Sequence, residues 1–167
     1  MYLSGLALFS LAGFAIVTLM AAARDIRTKP IPQGLILTLL GGFLLLAAGS
    51  GWSREEIAAS LIAATMVLFV GLLLSAMGWA EVNHGKLAAV FTLWLGAHQT
   101  LDFVLLSGLI GLFVTLLLAC LPRLGWRAAL KTGSRWFADQ RGLPVGATLA
   151  TAAIILIPYS PWVTSVG

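Results

Sequence analysis

The sequence predicts an all-α, polytopic membrane protein with six transmembrane helices and both termini on the non-cytoplasmic side. Three observations carry that reading. The first is composition: of 167 residues, 60% are hydrophobic and 10% are charged, and the mean hydropathy is +1.01. A soluble domain is about 45–50% apolar and about 25% charged. A chain of this size has too little interior to hide so much apolar side chain from water, which excludes a soluble globular enzyme, a disordered chain and a disulfide scaffold. The second observation is a succession of long apolar runs. The third is a lopsided placement of basic residues between them. The single cysteine, Cys120, lies inside an apolar run and has no internal partner for a bridge. The net charge is only +4 and the basic residues are scattered between apolar stretches. The pI near 9.9 therefore points to a lipid bilayer as partner and not to nucleic acid.

A transmembrane helix takes about 20 mostly apolar residues. Residues 2–23 form the first such run, 34–49 a shorter second, and 57–79 the third. Residues 87–97 are apolar over only about half the required length. They are counted as the fourth crossing, lengthened by 82–86, with a re-entrant segment as the other possibility. Residues 101–121 and 144–163 complete the set. With six crossings, one side receives Arg24, Arg27 and Lys29, then Lys86, then Arg123, Arg127, Lys131, Arg135 and Arg141. That is nine of the ten basic residues, and the other side receives only Arg54. The positive-inside rule places the three basic loops in the cytoplasm and both termini outside it. Five crossings would put the loop after Ala97 and the Arg123–Arg141 loop on conflicting sides.

Trp52, Trp79, Trp126, Trp136 and Trp162 fall near the ends of these runs, as an aromatic belt requires. The longest polar stretch, 122–143, interleaves basic residues with Leu124, Trp126, Leu130, Trp136 and Phe137. That pattern suits a helix in the headgroup layer or a solvated linker with aromatic anchors. The start of the chain lacks the basic region of a cleavable signal. No repeat and no soluble domain is visible, so residues 1–167 read as a single transmembrane domain. Gly41, Gly42, Gly108 and Gly111 are the small residues expected to let helices approach closely.

Ionisable groups inside a span cost about 2.5–3.5 kcal/mol at its centre, so each needs a reason. The candidates are Asp25, Glu81, His84, Lys86, His98 and Asp102. There is no Gly-rich phosphate loop, no zinc-type Cys/His cluster and no Gly-x-Ser-x-Gly elbow, so neither a cofactor nor a metal is implied. Asp25 opens Asp25-Ile-Arg-Thr-Lys-Pro-Ile-Pro32-Gln33 at the cytoplasmic end of the first span. Pro30 and Pro32 stop the helix and hold the chain extended before the second span. A carboxylate at a helix end beside a rigid turn suits catalysis; an ion pair with Arg27 or Lys29 is the plainer alternative. Glu81 and His84 would share a face if residues 82–86 are helical. Glu-x-x-His also occurs in carboxylate-bridged metal sites, but those need two copies, and one is present; an ordinary polar loop capping the next helix is the alternative. His98 and Asp102 lie near the outer ends of the fourth and fifth spans and are assigned no chemistry.

Asp25-Ile-Arg-Thr-Lys-Pro-Ile-Pro32 resembles the first aspartate motif of the type IV prepilin peptidases. The likeness is closest to the short Tad/Cpa form, which lacks the extra N-terminal cysteine-containing domain. That motif reads roughly Asp-x-Arg-x-x-x-Ile-Pro-Asn. Asp25, Arg27, Ile31 and Pro32 match, and Gln33 stands where Asn is usual. The resemblance continues in Gly78-Trp79, Lys86-Leu87-Ala88-Ala89, Leu93-Trp94-Leu95-Gly96 and Leu143-Pro144-Val145-Gly146-Ala147, and so covers nearly the whole chain. The family's second catalytic aspartate is expected in Gly-x-Gly-Asp-x-Lys, just before Lys86. Aligned without gaps, that aspartate falls on His84, with Val82 and Asn83 near the glycines. A gapped alternative sets Gly78-Trp79-Ala80-Glu81 on the motif and makes Glu81 the second carboxylate. The ungapped version is preferred, and both stay open.

In an aspartic protease two carboxylates share one proton, because like charges in contact cannot both ionise. One activates water, and the other protonates the developing oxyanion and leaving amine. Asp25 with His84 would instead form an ion pair that favours near-neutral pH, whereas Asp25 with Glu81 would restore a dyad. The resemblance implies an intramembrane aspartic endopeptidase, without cofactor. It would clip the basic leader of a Tad/Flp-type prepilin or pseudopilin on the cytoplasmic side of the bacterial inner membrane. Its substrate would arrive as a transmembrane helix, and Lys86, Pro32 and Gln33 are expected to contact it. The alternative is a catalytically silent membrane homologue that binds pilin helices as an assembly scaffold, which the broken second motif favours. A transporter or channel is disfavoured, since the spans hold almost no charge and no pair of broken helices in matching halves.

Overall fold

The computed structural model describes residues 5–27, 31–49, 52–120 and 145–164. Every regular element among them is a helix: α1 (Gly5–Arg27), α2 (Gln33–Gly49), α3 (Arg54–Ala76), α4 (Val82–Leu95), α5 (Thr100–Cys120) and α6 (Val145–Leu156). A short 3-10 turn at Ala97–Gln99 leads into α5, and another at Ile157–Tyr159 joins α6 to the one-turn α7 (Pro161–Thr164). Among the described residues each of the six apolar runs is therefore helical, the sixth as α6, the 3-10 turn and α7. The basic stretch 122–143, with Trp126 and Trp136, lies outside the described residues, as does the side chain of Trp162.

Length divides these helices. Three segments are long and apolar enough to cross a membrane: Phe9–Ile26, Arg54–Ala76 and Ala97–Leu117. Gln33–Gly49 and Val145–Tyr159 are shorter apolar helices. The fourth helix has 14 residues, a rise of about 21 Å at 1.5 Å per residue, against a hydrocarbon core about 30 Å thick. The expectation of six crossings is thus met in helix number, while three of the described helices have the length for it.

The short α4 occupies the centre. Ten of its residues are buried, from His84 to Leu95, and it packs most extensively on α3 and also touches α2, α5 and α6. A helix apolar all round belongs inside. The long helices show the opposite pattern, with only 11% of the α3 span and 6% of the Ala97–Leu117 span buried. Met66, Phe69, Leu109 and Phe113 point outward, which is stable where the surrounding solvent is hydrocarbon. Around α4 lies an aromatic cluster. Phe14 packs at 4.8 Å from Trp94 and 5.8 Å from Phe91, and Phe91 meets Phe103 edge-on at 6.2 Å. The indole of Trp94 donates its Nε1–H to the Leu39 carbonyl at 2.9 Å, which joins α4 to α2 and satisfies the polar end of the ring.

Glycines decide how closely the helices approach, but not chiefly the expected ones. A Cβ on Gly42 would lie 3.0 Å from Cζ2 of Trp94, so this glycine does admit a neighbour. At Gly41, Gly108 and Gly111 a Cβ would meet nothing within 4 Å, so these three face open space, which corrects the expectation for them. The tightest contact is Gly71 on α3 against Gly85 on α4, where a Cβ on Gly71 would come within 2.6 Å of the Gly85 Cα. Here backbone meets backbone, and no side chain can swing aside. The helix ends are equally specified. Ser53 and Glu56 form a reciprocal capping box at the start of α3. Gly78, at φ +74°, ends α3 in a Schellman turn, with Gly78 N–H on Ser75 and Trp79 N–H on Leu74.

Gly71→Ala is expected to destabilise the protein by about 1–3 kcal/mol, the usual cost of overpacking, read as a lower thermal midpoint in detergent. Gly108→Ala is expected to leave that midpoint unchanged or slightly raised.

Candidate active site

The buried stripe of α1 runs Phe14, Thr18, Ala21, Asp25, a helical spacing that turns one face inward. Asp25 stands in the last turn of α1 and is only 1% exposed. Beyond that turn the chain is extended at Ile31 and Pro32. Ile31 is buried, its carbonyl accepts Nδ2–H of Asn83 at 3.1 Å, and the Pro32 carbonyl accepts the Leu35 N–H that starts α2. Asn83 belongs to the first turn of α4, so the same polar contact fixes the start of α4 beside the end of α1.

His84 follows on that first turn, 5% exposed. Its Nε2 lies 3.0 Å from Oδ1 of Asp25. The other carboxylate oxygen, Oδ2, accepts the backbone N–H of Ala147 on α6 at 3.1 Å. Three helices therefore meet on one carboxylate. Taking two ionisable groups out of water costs several kcal/mol each unless they are paired and hydrogen-bonded, and this geometry provides both. With Asp25 as a carboxylate, which only accepts, the proton of this contact belongs to Nε2, and in the neutral tautomer of His84 the lone pair is then on Nδ1. That Nδ1 is buried and has no hydrogen-bond partner among the described residues.

Residues 12–116 match the model of the type IV leader peptidase family. The chain belongs to that family. Comparison with curated proteins gives no match, and neither does comparison with solved structures. The segment matching the leader peptidase family holds Asp25, Glu81 and His84, and it ends before α6.

Within this member of the leader peptidase family the two contenders for partner of Asp25 are separated. His84 touches it. Glu81 does not share a face with His84 as expected, because it precedes α4 with extended backbone, φ −79° and ψ 145°. Its side chain makes no capping bond and is exposed. Gln33 and Lys86 line a groove of about 290 Å³ between α2, α3 and α4, whose walls include Leu40, Leu61, Leu68 and Leu93. Pro32 is half-buried at the start of α2 and outside that lining, as are Asp25 and His84. Asp102 and His98 are exposed. The side chain of Arg27 and all of Lys29 lie outside the described residues. Among the described residues no group of three His, Cys, Asp or Glu side chains is placed to hold a metal.

Three participants carry no residue type that announces chemistry: Asn83 and Ala147, which act through an amide, and Gly146, where a Cβ would lie 2.8 Å from Cγ of Asp25. The signals in the sequence were the family-like run at residues 143–147 and the position of Asn83 near the glycines of the second motif.

Asp25→Ala is expected to cost about 3–5 kcal/mol of stability, the penalty for breaking a buried pair. Glu81→Ala is expected to stay within about 0.5 kcal/mol, as for an ordinary surface change. Thermal unfolding in detergent compares the two.

Proposed function

We propose that the protein is a membrane endopeptidase that removes the leader of a type IV prepilin or pseudopilin of the Tad/Flp kind. In this reading the Asp25–His84 pair stands in place of two aspartates. The observation that carries the proposal is the 3.0 Å contact of Nε2 with Oδ1, which leaves Nδ1 unpartnered. Nδ1 takes a proton from water as the water oxygen bonds to the scissile carbonyl carbon. The tetrahedral intermediate collapses, the C–N bond breaks, and the imidazolium returns the proton to the leaving nitrogen. Asp25 stays an anion throughout, orients the ring and stabilises the imidazolium, as the carboxylate does in other Asp–His pairs.

In this reading the chain crosses six times with its basic loops inside, and the chemistry lies at the cytoplasmic face of a bacterial inner membrane. The groove lined by Gln33 and Lys86 suits the transmembrane helix of the substrate, with Pro32 at its border. Glu81, exposed three residues before His84, supplies negative charge for a basic leader on a face otherwise rich in cations. Its role is then attraction and not proton transfer.

One observation favours a second reading, a catalytically silent scaffold that binds pilin helices. Both oxygens of Asp25 are engaged and the pair is closed off, as suits a structural latch.

Cleavage of a verified prepilin by purified protein in lipid separates the readings. The protease reading expects wild type to cleave, Asp25→Ala and His84→Ala to be inert, and Glu81→Gln to keep kcat with a raised KM. It expects His84→Asp, which rebuilds a carboxylate dyad, to work at lower pH than wild type. A wild type as inert as Asp25→Ala leaves only the scaffold. A reporter fused at Gly167 is expected to give a non-cytoplasmic signal; a cytoplasmic one removes the six-crossing topology.

A further inference from the structure

The chemistry above uses one oxygen of Asp25, and the other is held by α6. Ala147 is the third residue of α6, and its N–H is among the first-turn amides that find no partner within a helix. That amide donates to Oδ2 at 3.1 Å, with the positive end of the helix dipole toward the anion. A separate contact points the same way. A Cβ on Gly146 would lie 2.8 Å from Cγ of Asp25, 3.1 Å from its Cβ and 2.8 Å from Cδ1 of Ile31. Asp25 and Ile31 flank the link between α1 and α2, and both close on this one glycine. The positive-φ glycines of the described residues are Gly78 and Gly96, so what Gly146 supplies is space and not an unusual backbone conformation.

We infer that Gly146 is a positioning residue of the reaction. Its bare α-carbon lets the start of α6 seat Asp25 through the Ala147 amide, so that Oδ1 is presented to Nε2 of His84. The inference rests on the Asp25–His84 reading. It goes beyond family membership, because α6 lies outside the matched segment 12–116.

The test uses full-length protein in nanodiscs and two readouts, one independent of activity. The Nε2 proton of His84, held against a buried carboxylate, is expected to give a slowly exchanging ring N–H resonance. With two histidines in the chain, His98→Gln assigns it. Gly146→Ala is expected to abolish that resonance and to lower kcat for prepilin cleavage on the order of 10²-fold, as about 1 Å of misplacement does, with KM little changed. Ala147→Pro removes the donor in a first helical turn, where proline is tolerated, and is expected to act alike. Gly13→Ala, whose methyl would meet nothing within 4 Å, is expected to change neither readout. Loss of kcat with the resonance intact, or retention of both, overturns the inference. Where Gly146→Ala does not fold, Ala147→Pro decides on the same readouts. A wild type that shows the resonance but never cleaves a verified prepilin counts against the protease reading alone, and the resonance then judges the role of Gly146 by itself.

Discussion

A carboxylate buried at the end of α1 is the constraint around which the other helices are arranged. Asp25 is 1% exposed, and an uncompensated charge there would be too costly to keep. It is compensated from two directions, by the His84 ring at the start of α4 and by the Ala147 amide at the start of α6. Those two bonds require the end of α1 and the beginnings of α4 and α6 to lie at one level. The Gly71–Gly85 crossing lets α3 press on α4 directly beside His84, and the Trp94–Leu39 bond holds α2 further along the same helix. The short α4 is thereby held by neighbours long enough to shield it from lipid.

Replacing a carboxylate by an imidazole changes the physics of such a site. Two carboxylates in contact repel unless they share a proton, so a dyad is held together at the expense of one ionisation. An aspartate and a histidine attract in their charged forms and need no shared proton to stay in contact. A neutral imidazole hydrogen-bonded to the carboxylate through Nε2–H is equally closed and buried, and its other ring nitrogen then keeps an unused lone pair. The same geometry serves a base catalyst and a latch, and stability measurements alone do not distinguish them; proton transfer from water does.

Much of the fold was legible because hydrophobic runs in a membrane chain have few alternatives to helices. The six runs and their order were visible, and Asp25, His84 and Glu81 stood out as candidates, but which of the latter two meets Asp25 depends on how the helices pack. What stayed hidden depends on the residue opposite. Gly41, Gly108 and Gly111 look identical in sequence to Gly71 and Gly85, yet only the latter two face another backbone. Glu81 and His84 have the spacing of a shared helical face, but the helix begins one residue too late for Glu81 to join it. The Ala147 amide had no residue-type signal at all, since any residue but proline would supply it.

The central claim is that Asp25 and His84 act as one unit. A double-mutant cycle on prepilin cleavage tests it most directly, comparing wild type, Asp25→Asn, His84→Gln and the double variant. The account predicts that each single variant loses nearly all activity and that the double variant is no worse, the non-additivity of groups that work together. Full activity in His84→Gln, or losses that simply multiply, would contradict it.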